Sequence, residues 1–201
     1  MSPATAQPVT YGHDASVAKF SVARYQRMIE TGILTADDKV ELLENYVVPK
    51  LPRNPRHDSA VQGILRPVLR VLPPNWDVRI QSAITLSDSQ PEPDFALVRG
   101  SAADYVNHHP ESADIGQLIE VADPSLLRDQ RDKTRVYARA GIAVYWIVNL
   151  VEQRVEVYAQ PSGPTPVPAY GSLQTYQAVD AIPLMLDGVL VGTLAVADLL
   201  R

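Results

Sequence analysis

Hydrophobic residues recur along this chain with two periods, one typical of helices and one typical of strands. Between residues 21 and 30, Val22, Tyr25, Met28 and Ile29 fall on one helical face, as an amphipathic helix requires. Elsewhere the apolar runs are short and bounded by polar residues, as in strands. The pattern predicts strands at 40–48 (or a strand pair turning at residues 44–45), 76–86, 94–98, 115–121, 144–148 and 154–158, and helices from 58 onward and from 123 to 141.

Helices and strands alternate along most of the chain, which favours an α/β fold with a mixed central sheet flanked by helices. Pro67 lies within the second predicted helix and should kink it or end it early. From residue 170 onward we expect short strands and a small terminal helix. Residues 1–18 are expected to form a flexible N-terminal tail, which leaves residues 19–201 as a single domain.

Composition narrows the classes of protein that fit. The 201 residues include no cysteine, which excludes disulfides, thiolate zinc sites and cysteine nucleophiles. No stretch approaches the roughly 20 apolar residues that span a bilayer, and residues 1–10 lack the features of a signal peptide. We therefore expect a cytoplasmic protein with no membrane partner. The net charge of −5 argues against a protein that coats nucleic acid, although an acidic enzyme can carry a local basic groove.

Two carboxylates interrupt apolar strands. Asp94 precedes the apolar run 95–98, and Glu120 lies within the run 115–121. A charge inside a sheet costs several kcal/mol unless a partner compensates it. A strand-end aspartate or an arginine-paired glutamate would explain either residue alone. Together with a nearby lysine they suggest oxygen ligands that hold a divalent metal beside a phosphate.

A strongly polar helix follows Glu120. Residues 128–135 include no apolar side chain, and Asp129, Lys133 and Tyr137 are spaced four apart, hence on one helical face. Two interpretations remain open. The face is either solvated and laced with ion pairs, or it carries Lys133 over the sheet end at Glu120, where a lysine suits a phosphate or an attacking water.

Other positions also carry candidate chemistry. Glu41 lies between apolar residues and is either a further ligand or an edge residue paired with Lys39 or an arginine. His57 follows a basic, proline-rich connector, which favours a structural residue at the start of a helix. His108 and His109 lack a third nearby ligand, so they do not predict a metal site.

Several short motifs are individually weak but specific in their order and spacing. They are Phe20-Ser21-Val22 with Tyr25, Gly32-Ile33-Leu34, Val40-Glu41-Leu42-Leu43-Glu44, Pro55 with His57, Gln81, Pro93-Asp94, Ile119-Glu120-Val121, Ser125, Asp129, Lys133, Tyr137-Ala138, Gly141-Ile142 and Tyr145-Trp146-Ile147-Val148. This order resembles the Uma2 family of restriction endonucleases, within the PD-(D/E)XK nuclease superfamily. The resemblance extends over residues 20–158 and weakens beyond them.

The resemblance implies a restriction-endonuclease-like core that hydrolyses phosphodiester bonds of nucleic acid, with DNA favoured over RNA, using Mg²⁺ or alternatively Mn²⁺. Asp94 and Glu120 match the two catalytic metal carboxylates, and Glu41 resembles an additional acidic metal ligand. The chain departs from the superfamily where it has Ala122 in place of a lysine. Lys133 resembles the migrated replacement and completes the expected catalytic set.

The expected partner is nucleic acid, held by a local positive rim on an acidic protein. The candidate phosphate contacts are Lys50, Arg53, Arg56, Arg128 and Arg131. Two rival classes remain: a catalytically inactive module that keeps the fold and binds nucleic acid or a protein, and a hydrolase or transferase acting on a small phosphorylated substrate. A homodimer is also plausible, because Tyr145, Trp146 and the C-terminal apolar strands offer surface to cover.

Overall fold

A six-stranded mixed sheet organises the molecule. The computed structural model describes residues 18–123 and 125–201, so the predicted tail lies outside the described residues except for its last position. In chain order the elements are α1 (Val22–Glu30), β1 (Val40–Leu43), β2 (Tyr46–Pro49), α2 (Pro55–Val71), β3 (Trp76–Ile80), β4 (Phe95–Arg99), β5 (Ile115–Ala122), α3 (Leu126–Arg128), a π-helical turn (Asp129–Lys133), α4 (Thr134–Arg139), β6 (Val144–Asn149), β7 (Arg154–Pro161), β8 (Tyr170–Gln177), β9 (Ala181–Leu186), β10 (Val189–Ala195) and α5 (Val196–Leu199). Short 3₁₀ turns lie at Ala36–Asp38, Ala102–Tyr105 and Ser112–Asp114.

The sheet has the order β3-β4-β5-β6-β7-β8. Only β5 and β6 pair in parallel; the other neighbours are antiparallel, which confirms the predicted mixed α/β fold. All eight residues of β5 are buried, as expected for a central strand. The helical stretch from α3 to α4 connects β5 to β6, as a parallel pair requires a crossover. In the described part of the chain, no helix combines the length and the apolar character that crossing a membrane demands.

Side chains of β5 alternate between two apolar cores, because successive strand residues point to opposite faces. Ile119 and Val121 pack with α2, the β9–β10 hairpin and α5. Leu118 and Ala122 pack on the other face, with α4 and with buried residues of the loop that precedes β4. Glu120 shares the second face by the same alternation. The sheet therefore presents Glu120 towards the helix that carries Lys133.

Two predicted boundaries differ from the structure. The helix α2 begins at Pro55 behind the N-cap Asn54 and continues through Pro67 to Val71. Ile64 and Val68 are both buried, and their packing on either side of the proline outweighs the roughly 3 kcal/mol that an internal proline costs. The predicted strand 76–86 ends at Ile80 instead, because Gln81 adopts a left-handed conformation with φ of 48°.

Three further predictions concern the first helix, the region 40–48 and the exposure of two aromatic residues. The first predicted helix is confirmed as α1, and the region 40–48 forms the strand pair rather than one strand, with Glu44 and Asn45 at positive φ in the turn. Tyr145 and Trp146 were wrongly expected to offer surface for a homodimer, because both side chains are buried within the chain. The homodimer itself stays a prediction. A central strand and an uncovered apolar strand have the same sequence pattern, so burial decides between them.

Gly116 in β5 marks a close approach that predicts a large stability effect. A Cβ at this position would lie 2.5 Å from the Trp76 ring and 2.8 Å from Leu186. We expect Gly116→Ala to destabilise the protein by about 1–3 kcal/mol through overpacking. Gly63→Ala is the matched control, because its Cβ would meet nothing closer than 3.7 Å and alanine favours a helix by about 1 kcal/mol over glycine. Denaturant unfolding of both variants measures the difference; equal stabilities would contradict the prediction.

Candidate active site

Asp94 and Glu120 meet where β4 and β5 begin to separate. Phe95 lies opposite Ile119 in the antiparallel register, which places Asp94 beside Glu120. The Asp94 amide donates to the Glu120 carboxylate (3.3 Å), and the Val121 amide donates to the Asp94 carboxylate (2.9 Å). Both side chains are nearly inaccessible, with residue exposures of 6% and 3%. The structure therefore brings the two predicted carboxylates together in a buried, backbone-fixed arrangement.

The polar helix supplies the third predicted residue. The Lys133 ammonium donates to the Glu120 carboxylate at 2.7 Å, and the Tyr137 hydroxyl donates to the same oxygen at 2.8 Å. Lys133 is only 7% exposed, so this part of the helix does not form the solvated face that was the alternative. The three residues spaced four apart, Asp129, Lys133 and Tyr137, all face the interior and are buried.

A π-helical turn holds Asp129 and Lys133 against the sheet. The Thr134 amide and hydroxyl both donate to the Asp129 carbonyl, the amide closing a hydrogen bond over five residues. Gln130 projects from the same turn and donates to both carboxylate oxygens of Glu156 on β7 (3.0 and 2.9 Å). π-helical turns inside helices are frequent at functional sites. Here the turn fixes the helix to the sheet directly beside Lys133.

Asp129 is buried with an incomplete set of partners. Its carboxylate accepts a hydrogen bond from the Ser125 hydroxyl at 2.5 Å, while Oδ1 lies 3.9 Å from the Lys133 ammonium. Within residues 18–123 and 125–201, Oδ1 has no hydrogen-bond partner. A buried polar atom without a partner costs free energy and points to a missing water, ion or substrate group. The candidate site is therefore set up to receive a further polar group.

The role of His57 was missed from the sequence. Its Nε2 lies 3.0 Å from Asp94 Oδ2, and Gln81 donates to the other oxygen of Asp94 at 3.2 Å. The residue is the third of α2, whose N-cap Asn54 accepts a hydrogen bond from the His57 amide. The sequence signal for this position is Asn54-Pro55, because an N-cap residue followed by proline at the first helical position marks a helix start. The helix therefore begins earlier than predicted. His57 thus orients a carboxylate and is more than a helix-start residue.

Burial and close charged neighbours shift several pKa values in the pocket. Burial alone would lower the pKa of Lys133, but Glu120, Glu41 and Asp129 outweigh it and raise that pKa, so the ammonium stays protonated. Burial raises the pKa values of Glu120 and Asp129, with neighbouring carboxylates adding to the effect. Asp94 behaves in the opposite way: burial would raise its pKa, but hydrogen bonds and the charge of His57 lower it.

Glu41 and part of the predicted basic rim line the same pocket, which encloses about 70 Å³. Glu41 is buried on β1 and accepts from the Glu92 amide at 3.3 Å. Lys50 pairs with Glu92 at 2.5 Å. The remaining cations at the mouth are Arg53, which donates to Gln81 (2.5 Å), and Arg128, which donates to the Pro49 carbonyl (2.7 Å).

Two of the predicted phosphate contacts lie elsewhere. Arg56 bonds to Asp123 and to the Leu150 carbonyl, and it is not part of the pocket lining. Arg131 pairs with Asp132, its side chain is 77% exposed, and it too lies outside the lining. Sequence proximity to Lys133 did not place Arg131 in the site, because adjacent helix residues point in different directions.

The donor set suits a hard divalent cation. In the described ranges no three His, Asp or Glu side chains converge as a complete cage. Mg²⁺ does not require one, since it binds through one or two carboxylates and keeps its waters and substrate phosphate as the other ligands. Asp94 and Glu120 would supply two oxygen ligands, and the unpartnered oxygen of Asp129 belongs to a residue that lines the same pocket. These residues fit Mg²⁺ or Mn²⁺.

Glu44 fastens the β1–β2 hairpin to α4 and should make stability depend on pH. Arg135 donates to it at 2.8 Å, and Arg139 pairs with it at 2.7 Å while also reaching Asp88. The Arg135 hydrogen bond is the largest cause of the lowered Glu44 pKa. A lowered carboxyl pKa stabilises the fold above the unfolded-state pKa of about 4.3, and this contribution is lost as pH falls through the folded-state pKa.

We therefore expect Glu44→Gln to be less stable than the wild type at pH 7. The two proteins should converge in stability as the pH falls below about 4. Urea unfolding at a series of pH values measures this difference. A gap between them that stays constant down to pH 3 would contradict the ion-pair explanation.

The fold and the site together define a class of protein. A mixed sheet carries two carboxylates at adjacent strand positions and a lysine facing one of them, which is the arrangement expected of a restriction-endonuclease-like core. The sequence matches the Uma2 family, described as “Putative restriction endonuclease”, over residues 22–194. The chain belongs to the Uma2 family.

A solved structure supports the fold assignment. A protein described as a putative nuclease belonging to DUF820 from Anabaena variabilis ATCC 29413 matches with a TM-score of 0.68 and 14% sequence identity. The match covers 90% of this chain and 97% of that protein. No curated protein matches the sequence. At this identity the likeness concerns the fold, and the chemistry depends on the residues described above.

Proposed function

We propose that this protein is a metal-dependent endonuclease that hydrolyses phosphodiester bonds of nucleic acid, with DNA as the favoured substrate. One observation carries the proposal. Lys133 binds Glu120, and Glu120 in turn accepts from the Asp94 amide, so that two carboxylates and a protonated amine face one small pocket. Membership of the Uma2 family supports the same class of reaction.

Asp94 and Glu120 would hold the metal, with Glu41 as a further candidate ligand at the edge of the pocket. Bound Mg²⁺ polarises a phosphate, favours hydroxide over water and stabilises charge on the leaving oxygen. The hydrogen bonds from His57 and Gln81 keep the Asp94 carboxylate in one orientation, and Tyr137 does the same for Glu120. These contacts preorganise the ligands before substrate binds.

Lys133 contributes charge and orientation. Its pKa is raised by the surrounding carboxylates, so at neutral pH it cannot take a proton from water. It can donate hydrogen bonds to the attacking water and to the phosphate oxygen on which negative charge develops. Hydrolysis adds the elements of water across one P–O bond, and the leaving oxygen takes up a proton from solvent.

The size of the pocket indicates how a polymer would bind. About 70 Å³ accommodates an ion and a few water molecules but not a nucleoside. A phosphate must therefore reach the carboxylates from a strand that lies across the mouth, where Lys50, Arg53 and Arg128 stand. These cations contact phosphates regardless of sequence, which favours a polymeric substrate over a small phosphorylated molecule in a closed pocket.

The test is cleavage by the purified full chain. Supercoiled plasmid, single-stranded DNA and RNA are incubated with Mg²⁺ or Mn²⁺, with EDTA, and with an Asp94→Asn variant prepared in the same way. We expect cleavage with either metal, none with EDTA and none with the variant. No cleavage of any substrate together with no saturable metal binding by calorimetry would overturn the proposal. That outcome would identify an inactive module that keeps the nuclease fold.

A further inference from the structure

A second and larger cleft lies on the same face of the sheet as Asp94 and Glu120. It encloses about 550 Å³ between α1, residues 105–111 and β3. Arg79 of β3 stands opposite Ala96 of β4, and Ala96 packs in the same apolar core as Leu118. Because paired residues of antiparallel strands share a face, Arg79 projects to the side of the sheet where the metal carboxylates lie.

The guanidinium of Arg79 has a hydrogen-bond donor without a partner among the described residues. It lies over the Tyr105 ring, with 5.6 Å between its central carbon and the ring centroid. Its Nε is buried and has no hydrogen-bond partner in the part of the chain that the structure describes. A buried donor on a charged group is costly when unpaired. An arginine presents several donors in one plane, a geometry that matches a phosphate, so the cleft offers an anion a partially desolvated partner.

Aromatic rings stand next to this cation. The rings of Tyr105 and His108 are 5.7 Å apart and tilted by 54°. His109 lies deeper, and burial together with the Arg79 charge lowers its pKa, so its imidazole is neutral at pH 7 and can exchange hydrogen bonds. Tyr105 is half-buried and His108 is exposed. Aromatic rings beside an arginine are the elements with which proteins bind unpaired bases.

We propose that this cleft binds one unpaired nucleotide, with the base against Tyr105 and His108 and the phosphate at Arg79. The inference rests on the proposed nuclease function insofar as the nucleotide belongs to the substrate strand. The two sites are neighbours, because Gln90 lines the second cleft and Glu92, two residues further along the chain, lines the active-site pocket. A strand lying across the active-site mouth can therefore place an adjoining nucleotide in the cleft.

The rim of the cleft restricts the kind of anion that fits. Glu30 and Glu111 line it and are exposed. Two carboxylates repel a multiply charged ligand such as a triphosphate, whereas they can accept hydrogen bonds from amino groups of a base. A monophosphate nucleotide satisfies the single arginine and the acidic rim together. Inorganic phosphate would leave the aromatic rings without a partner.

The test uses the full chain in EDTA, so that no metal at Asp94 and Glu120 can recruit the phosphate. Calorimetry compares 2′-deoxyadenosine 5′-monophosphate, deoxyadenosine and inorganic phosphate. We expect the nucleotide to bind tightest. Arg79→Leu should weaken nucleotide binding about tenfold or more, and Tyr105→Leu by about five- to a hundredfold. Arg66→Leu, an exposed arginine of α2 outside both pockets, should leave nucleotide binding unchanged.

Other outcomes overturn the inference. Equal binding of inorganic phosphate with no effect of Tyr105→Leu would show a plain anion site, and binding insensitive to both cleft variants would place the nucleotide elsewhere. Absence of nucleotide binding at millimolar concentration would also refute the cleft. This result is separable from the proposed function. Cleavage without nucleotide binding refutes the cleft alone, whereas nucleotide binding with neither cleavage nor saturable metal binding refutes the nuclease alone.

Discussion

A Lys133→Met variant is expected to lose about a hundred- to a thousandfold in cleavage rate and to unfold more easily than the wild type. Methionine keeps most of the side-chain volume but removes the ammonium that binds Glu120 at 2.7 Å and lies 3.9 Å from Asp129. Two buried carboxylates then face each other without their cation. Breaking a buried charge pair in this way destabilises by about 3–5 kcal/mol.

The pH dependence identifies the cause of that destabilisation. Without Lys133, the folded-state pKa values of Glu120 and Asp129 should rise further, so that the folded protein binds protons that the unfolded chain does not. Stability of the variant should then increase as pH falls from 8 towards 5. Arg131→Met is the control, since its side chain is 77% exposed and should change stability by no more than about 0.5 kcal/mol. A Lys133→Met protein as stable as this control at pH 8 would show that the ammonium does not compensate the carboxylates.

An Asp94→Asn variant is expected to abolish metal-dependent cleavage and to lower the melting temperature, because His57 loses its buried carboxylate partner. The amide keeps the shape of the side chain, and its oxygen can still accept from Val121 or Gln81. It is a much weaker ligand for Mg²⁺ than a carboxylate. Saturable metal binding, followed by calorimetry, should weaken at least about tenfold, because metal sites depend strongly on ligand charge.

A surface carboxylate gives the comparison for Asp94→Asn. Among the residues that the structure describes, Asp198 on α5 pairs only with Arg201, at 3.3 Å, and it lies outside the pocket lining. Asp198→Asn should bind metal and cleave nucleic acid as the wild type does. If Asp94→Asn also keeps full cleavage, Asp94 is not a metal ligand and the site must be assigned to other residues.

Local sequence patterns predicted much of the fold because most strands and helices here carry their signal locally. The sequence allowed either one long strand over residues 40–48 or two strands that turn at Glu44 and Asn45. The structure has the two strands, with both turn residues at positive φ. The carboxylates Asp94 and Glu120 could be singled out because charge within an apolar run is conspicuous, and the structure places them side by side. Lys133 was found through the spacing of its helix and the family resemblance.

Contacts between distant segments could not be read from the sequence in the same way. His57 and Asp94 are 37 residues apart, and they meet only because α2 packs along the sheet with its first turn at the strand ends. Gln81 follows β3 directly, and its own backbone is left-handed; its side chain donates to Asp94 from there. Neither contact has a periodic signal, since each depends on how whole elements dock. The positions of the arginines were equally ambiguous.

The π-helical turn allows two parts of one helix to be tuned separately. Its hydrogen bond spans five residues, so the turn holds one residue more than an α-helical turn. Residues before and after the turn therefore need not follow one continuous α-helical repeat in the sequence. Tyr137 and Val136 follow the phase set by the apolar core, while Ser125 and Asp129 follow that of the pocket. Removing one residue between Asp129 and Lys133 would let the turn close with α-helical hydrogen bonds and would take away the bulge beside Glu120. The inserted residue thus lies where Lys133 reaches Glu120 from the helix, in place of the lysine that the strand lacks at Ala122, while Val136 and Tyr137 stay in the apolar core.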